Sequence, residues 1–282
     1  MKSVFSWRRN WLLGALIAAA LIILIAVLWQ RDVINFAGAD RTWLAIQERG
    51  TWRVGMDPSF PPFELLDDDG APVGFDVDLA HALAAELSVD VEIVTLGFDG
   101  LIDAVQVGRI DSVISALPLD PRLTQDVRYT TPYFEAGTRL VVPVGSQITE
   151  IADLADQRVA VEWGSMGDAD VRQIQRETVP SLQRLPFSTP DEALAALLAG
   201  DADALVIDGV TLRLAQGRGA AIQAIGAPLE GDPYVIALPF QAHRLHTVLE
   251  EALTTLRQDG TLARLEEKWF AAAGEVPAQP SP

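Results

Sequence analysis

The sequence predicts a two-lobed α/β protein. Three observations predict it. A strand–helix–strand grammar runs from Trp52 to Ile114 and restarts after Leu140. The stretch DGLIDAVQVGRIDSVIS (Asp99 to Ser115) aligns with DEALAALLAGDADALVI (Asp191 to Ile207) at a shift of 92 residues. In both copies polar residues stand where an apolar strand ends, most sharply in GDADALVIDG, where Ala204 to Ile207 gives way to Asp208 and Gly209. Alternating strands and helices bury a parallel sheet under helical layers. In such open sheets, ligands bind beyond the carboxyl ends of the strands.

The elements follow in order. Trp52 to Met56 reads as a strand. Phe75 to Leu87 places Val77, Ala80, Leu83, Ala84 and Leu87 on one face at helical spacing. Val91 to Val94 is a strand, Leu101 to Val107 a helix closed by Gly108, and Ile110 to Ile114 a strand. After Leu140 to Val144 and Arg158 to Val161, Thr189-Pro190-Asp191-Glu192 forms a capping box with proline at the first helical position. The helix Asp191 to Ala199 stops at Gly200. A strand at Val235 to Leu238 precedes helices at Leu245 to Leu256 and Leu262 to Phe270. The chain crosses between lobes near Phe134 to Thr138 and Gly231 to Val235, and both crossings are expected to act as hinges.

The N-terminus differs in kind. Trp11 to Trp29, WLLGALIAAALIILIAVLW, has no charged side chain and is about long enough to cross a hydrocarbon core. Lys2, Arg8 and Arg9 precede it, so the positive-inside bias places residues 1–10 in the cytoplasm and the folded body outside. A cleaved signal peptide is the alternative, although its apolar region is usually shorter, about 7–15 residues. Residues 30–50 read as a connector and 273–282 as a disordered tail. The chain has no cysteine, which excludes disulfides, thiol catalysis and lipoprotein anchoring. Its 39 acidic and 21 basic residues give a formal net charge of −18, opposite to the footprint of a nucleic-acid binder.

Several residues can carry chemistry. Asp208 before Gly209 is either a turn former or a cleft carboxylate that pairs with a cation. Arg122, just past a strand end, is a surface arginine or a planar fork for a carboxylate. Together the two match the α-carboxylate and α-ammonium of a free amino acid, whose burial demands both partners. Gly164-Ser165-Met166-Gly167 can converge backbone N–H groups on an anion if a helix starts at Asp168. Phe60 and Phe98 are core aromatics or apolar walls of a pocket. His81 lies on the polar flank of a helix, and His243 and His246, three residues apart, have no third ligand nearby, so no metal site is expected. No nucleophile motif or phosphate loop is present, and no cofactor is expected.

The runs WRVGMDPSFPPFELLDDDGAPVGFDVDLAHALAAEL, GFDGLIDAVQVGRIDSVIS followed by Arg122, RYTTPYFEAGTRLVV, Arg158 to Gly164 followed by Ser165, GDADALVIDG and LRQDGTLARLEEKWF, in that order, resemble the extracytoplasmic solute-binding proteins of polar amino-acid ABC transporters. The resemblance implies a bilobal periplasmic-binding-protein fold of type II, with lobe 1 at 51–137 plus 235–272 and lobe 2 at 138–234. It implies that the lobes close on a free amino acid and hand it to an ABC permease. By position, Arg122 and the Ser165 backbone bind the α-carboxylate, and Asp208 the α-ammonium. Ser115 lies along the floor, Phe60 and Phe98 flank the ligand, and Asp57 and Glu162 face its side chain. Leu117 replaces a frequent hydroxyl residue near the ligand, and Met166 a second one, leaving only a backbone N–H. The membrane anchor at 11–29 is a further departure. Asp57 and Glu162 argue against an acidic ligand, so a basic amino acid is expected, with glutamine or another polar one next. We expect a monomer. Alternatives are a sensing module that acts on a receptor partner, or a periplasmic dehydratase of the same fold with Glu162 as its acid or base.

Overall fold

The computed structural model describes residues 41–271. The anchor at 11–29 and the tail at 273–282 lie outside the described residues. Among the described residues, no helix is long and apolar enough to cross a membrane.

The chain enters through α1 (Arg41–Arg49) and builds β1 (Thr51–Met56), a small meander of β2 (Ser59–Phe60), β3 (Glu64–Leu66) and β4 (Pro72–Val73), then α2 (Phe75–Leu87), β5 (Asp90–Thr95), α3 (Leu101–Gln106), β6 (Ser112–Val113) and β7 (Val127–Tyr129). It crosses through β8 (Phe134–Glu135) to β9 (Thr138–Pro143), β10 (Arg158–Glu162), α4 (Met166–Glu177), β11 (Gln183–Phe187), α5 (Pro190–Ala199), β12 (Ala204–Asp208), α6 (Gly209–Gly217) and β13 (Ile222–Glu230). It returns through β14 (Pro233–Tyr234) to β15 (Ala237–Pro239), α7 (His243–Gln258), α8 (Thr261–Glu266) and a π-helical turn at Glu267–Ala271.

Two five-stranded sheets result, ordered β5-β1-β6-β15-β7 and β11-β10-β12-β9-β13. They share one plan. β1 lies parallel between β5 and β6, as β10 does between β11 and β12. The fourth strand of each, β15 or β9, runs antiparallel to its neighbours. The repeat in the sequence therefore occupies the same place in both sheets, as α3–β6 and α5–β12. The restarted grammar at Leu140 and the strand at Val235 are corrected in one respect: β9 and β15 are antiparallel, because each enters its sheet directly from a crossover with no covering helix before it.

One ion pair recurs with the repeat. Asp111 Oδ2 accepts the Arg53 backbone N–H at 2.9 Å, while Arg53 Nη2 reaches Asp111 Oδ1 at 2.8 Å and the Gly108 carbonyl at 3.0 Å. Asp203 Oδ2 accepts the Arg158 N–H at 2.9 Å, and Arg158 Nη2 reaches Asp203 Oδ1 at 2.8 Å and the Gly200 carbonyl at 2.9 Å. Each acid thus stitches the helix-ending glycine turn to the first strand of its parallel trio. This also shortens β6 against the expected Ile110 to Ile114, because the side chain of Asp111 rather than a strand carbonyl takes the Arg53 N–H.

Thr189 caps α5 as expected, its Oγ1 accepting the Glu192 N–H at 3.2 Å. The return bond differs: Glu192 Oε2 accepts from Ser188 N–H at 3.0 Å instead of from Thr189. Apolar clusters fill both faces of both sheets. The largest gathers α2, α7 and the aromatic residues of the crossovers.

β8 and β14 pair antiparallel, Glu135 opposite Pro233 and Phe134 opposite Tyr234. Phe63 is fully buried against both, with ring centroids 5.0 Å from Phe134 and 5.3 Å from Tyr234. On lobe 2, α6 meets lobe 1 twice through glycine. A Cβ on Gly209 would stand 2.3 Å from the Glu135 carbonyl, and one on Gly217 would stand 2.1 Å from the Phe270 carbonyl.

The two stitching acids differ in burial, with side-chain exposures of 4% for Asp111 and 31% for Asp203. Asp111→Ala strands Arg49, Arg53 and the Arg53 backbone N–H, and is expected to lower the unfolding free energy by about 3 kcal/mol. Asp203→Ala is expected to cost measurably less. Urea denaturation of both variants checks the order.

Candidate functional site

In lobe 1 three parallel strands end together, and their ends are tied by side chains. Asp57, just past β1, donates its N–H to Ser115 Oγ at 3.0 Å. Its Oδ2 accepts the N–H of Phe98, past β5, at 2.8 Å. Phe98 opens a 3-10 turn at Phe98–Gly100 and is 43% exposed. Phe60, on β2, is 45% exposed and stacks on Phe63 at 5.7 Å. Ser115 is 1% exposed, and its hydroxyl donates to Glu64 Oε1 at 2.7 Å. It therefore sits beneath the floor, with its proton committed to Glu64 and a lone pair to Asp57.

Arg122 lies in a 3-10 turn at Pro121–Leu123, its side chain 88% exposed. Its partner here is Asp120: Nη2 to Oδ2 at 2.7 Å, Nε to Oδ1 at 2.9 Å, and backbone N–H to Oδ1 at 2.9 Å. The Arg122 guanidinium holds the Asp120 carboxyl at about 2. The structure thus brings Arg122 onto Asp120 rather than onto Asp208. An exposed pair of this kind is weak in water, so the fork is open to exchange with another carboxylate. Asp120 was detectable in principle: Asp before Pro at the first position of a turn is a capping signal.

In lobe 2, Glu162, Ser165, Met166 and Asp208 line one cavity of about 220 Å³ together with Thr138, Gly167 and Pro190. Ser165 caps α4, accepting the Asp168 N–H at 3.1 Å and donating to the Glu162 carbonyl at 2.8 Å. The helix starts at Met166, two residues before the expected Asp168. The turn's N–H groups are partly taken: Gly164 donates to Asp168 Oδ2 at 3.0 Å, and this fully buried carboxylate also pairs with Arg172 and Arg184. Among the described residues, no acceptor takes the first-turn N–H groups of Met166 and Gly167.

Asp208 ends β12 and caps α6. Its Oδ1 accepts the Thr211 N–H at 2.8 Å and its Oδ2 the Thr211 hydroxyl at 2.7 Å. The turn-forming reading is realised, and each oxygen keeps a lone pair. A second cavity of about 260 Å³ shares Thr138, Met166 and Asp208 with the first and runs to the crossovers past Glu230 and Asp232. Burial and the nearby Glu135 raise the Asp232 carboxyl. No Lys or Arg lines either cavity. Among the described residues, no group of three or more His, Cys, Asp or Glu could hold a metal ion. The sequence reading missed Glu64, Asp120, Glu230 and Asp232.

Two α/β sheets on one plan, joined by a paired double crossover and bearing polar strand ends, define a two-lobed ligand-binding protein. The chain belongs to the bacterial extracellular solute-binding proteins, family 3, whose sequence pattern matches residues 52–272. An L-arginine-binding protein of Pseudomonas aeruginosa is 31% identical over 229 residues, covering 78% of this chain and 87% of that protein. An ancestral cationic amino acid solute-binding protein of known structure is 33% identical, covering 81% of this chain and 99% of its own, with a TM-score of 0.57. An ancestral cyclohexadienyl dehydratase is 26% identical with a TM-score of 0.70, covering 82% and 97%. The curated relatives are named as binding proteins, and the chain is a solute-binding protein of the α/β periplasmic-binding fold, not an enzyme.

The two roles of Asp208 separate by substitution. Asp208→Ala loses the cap and is expected to cost about 1 kcal/mol of stability, whereas Asp208→Asn, an equally good cap, changes stability by only a few tenths. Thermal unfolding of the two variants decides it.

Proposed function

We propose that the cleft receives a free amino acid with a cationic side chain and that lobe closure delivers it to an ABC permease. One observation carries the reading: Glu162, Asp208, Glu230 and Asp232 line the two contiguous lobe 2 cavities with no Lys or Arg among the lining residues. Such a wall attracts a cation and repels an acidic ligand. In this reading Arg122 exchanges Asp120 for the α-carboxylate, helped by the first-turn N–H groups after Ser165. Asp208 takes the α-ammonium with its free lone pairs. Phe60 and Phe98 wall the side chain, and Asp57 and Glu162 balance its charge. Relatives named for arginine and for cationic amino acids support this ligand class. Tethering by residues 11–29 fits a receptor that works beside its permease.

A thermal-shift screen against the common amino acids, followed by calorimetry, tests the proposal. Ligand at a hundredfold excess over its dissociation constant stabilises the native state by about 2.7 kcal/mol. Arginine or lysine is expected to produce the shift, and Arg122→Ala and Asp208→Asn are each expected to abolish it. Glu162→Leu is expected to move the preference from arginine toward glutamine. No shift with any amino acid contradicts the proposal, and an unchanged arginine preference in Glu162→Leu contradicts its specificity argument.

A further inference from the structure

Beneath the lobe 1 strand ends lies a pair of acids that the ligand reading does not use. Glu64, on β3, is 1% exposed, and Asp76, in the first turn of α2, is fully buried. Neighbouring residues hold them side by side: Ser115 donates to Glu64 and Ala116 to Asp76, and the Asp76 N–H donates to the carbonyl of Phe63, next to Glu64, at 2.9 Å. Among the described residues, the hydrogen bonds of the pair are all with neutral groups. Asp76 Oδ2 accepts from the Ala116 N–H and from the Tyr133 hydroxyl, the latter at 2.9 Å, and Glu64 Oε1 accepts from Ser115. The titratable groups that face the pair are Asp57, Tyr133 and Tyr234, none of them a cation.

Two bare carboxylates side by side in this setting would be mutually repelling and desolvated. Glu64 Oε2 and Asp76 Oδ1 are both buried and both lack a donor. One proton between the acids satisfies two orphan oxygens at once. We propose that Glu64 is a positioning residue of the ligand site: its carboxyl keeps a proton that it gives to Asp76, and through Ser115 this pair fixes Asp57 and Phe98. Burial, then the neighbouring Asp76, push Glu64 up to about 11, and burial pushes Asp76 to about 6. The relay has a direction. The Ser115 proton points down to Glu64, so the Ser115 oxygen can only accept from above, where it takes the Asp57 N–H. Asp57 in turn holds the Phe98 N–H. On the other side Asp76 holds Tyr133, the residue before β8, so the pair also touches the first crossover.

The proposal deepens the ligand reading and rests on it only for the affinity measurement. The full chain is compared with Glu64→Gln, which keeps a donor for Asp76 and an acceptor for Ser115, and with Glu64→Leu, which keeps neither. At pH 8 the infrared spectrum of the wild type is expected to show a carboxylic acid C=O stretch that Glu64→Gln removes. The amide resonances of Asp57 and Phe98 are expected to move far more in Glu64→Leu than in Glu64→Gln, and arginine affinity to fall about tenfold further. Stability gives a sign. Glu64 holds in the folded chain a proton that the unfolded chain releases near 4.5, so its contribution is complete below that pH and is lost as pH rises toward about 11. Glu64→Gln is therefore expected to flatten the fall of melting temperature between pH 5 and 9. If Glu64→Leu does not fold, Ser115→Ala breaks the relay instead: the acid stretch persists while the two amides move. A wild type without the acid stretch, or one whose stretch survives Glu64→Gln, overturns the shared proton. Amides that stay in place in Glu64→Leu, or in Ser115→Ala, overturn the positioning role. If no amino acid binds the wild type, the ligand reading fails, and the stretch and amides still decide this one.

Discussion

The lobes are joined through two short strands, and the rest of the architecture depends on how those strands are held. A two-residue antiparallel pair has little stability of its own. β8 and β14 are held because Phe134 and Tyr234 sink into lobe 1 against Phe63, which also touches Phe75 at 5.8 Å and Phe270 at 5.5 Å. The segment before Arg122 is sewn to the same place, since Leu119 N–H donates to the Pro233 carbonyl and Val235 N–H to the Leu117 carbonyl. The crossover roots are thus part of a packed core. The proposed closing movement is therefore assigned to the residues beyond them, Gly137 and Thr138 with Glu230 to Asp232, which line the second cavity.

This anchoring explains how the site is shared. Phe60 reaches from the lobe 1 rim to Phe63, so the exposed wall and the crossover root belong to one aromatic stack. Asp208 caps α6, and α6 abuts Glu135 at Gly209 and Phe270 at Gly217. Arg213 on the same helix reaches Glu266 of lobe 1 at 3.4 Å, and burial raises the Glu266 carboxyl. The acid in the cleft and the contacts behind the crossovers are therefore carried by a single helix. In the proposed reading, a ligand held by Asp208 acts on an element that already leans on the other lobe.

Much of the fold was legible in the sequence. The helical face from Val77 to Leu87, the Thr189 cap and the repeat at Gly108 and Gly200 are local signals, and local signals survive in a sequence. Strand direction is not local: an apolar run reads the same in β9 and β10, and only the missing covering helix marks β9 as antiparallel. The lobe 2 half of the candidate site was legible because Glu162, Ser165, Met166 and Asp208 follow strand ends. The lobe 1 half was legible in place and not in state. Arg122 stands where expected but is engaged by an acid two residues away. Ser115 is under the floor because Glu64 draws its proton down. Glu64 itself reads as the start of an acidic run that continues through Asp67, Asp68 and Asp69. Only the fold, which turns Glu64 inward beside Asp76, distinguishes it from those surface acids.

The central claim is that the two lobes shut on an amino acid, and small-angle scattering of the protein with and without arginine tests it most directly. The account predicts that saturating arginine lowers the radius of gyration and that Asp208→Asn shows no change at the same concentration. Full binding of arginine by calorimetry with an unaltered scattering curve would contradict it.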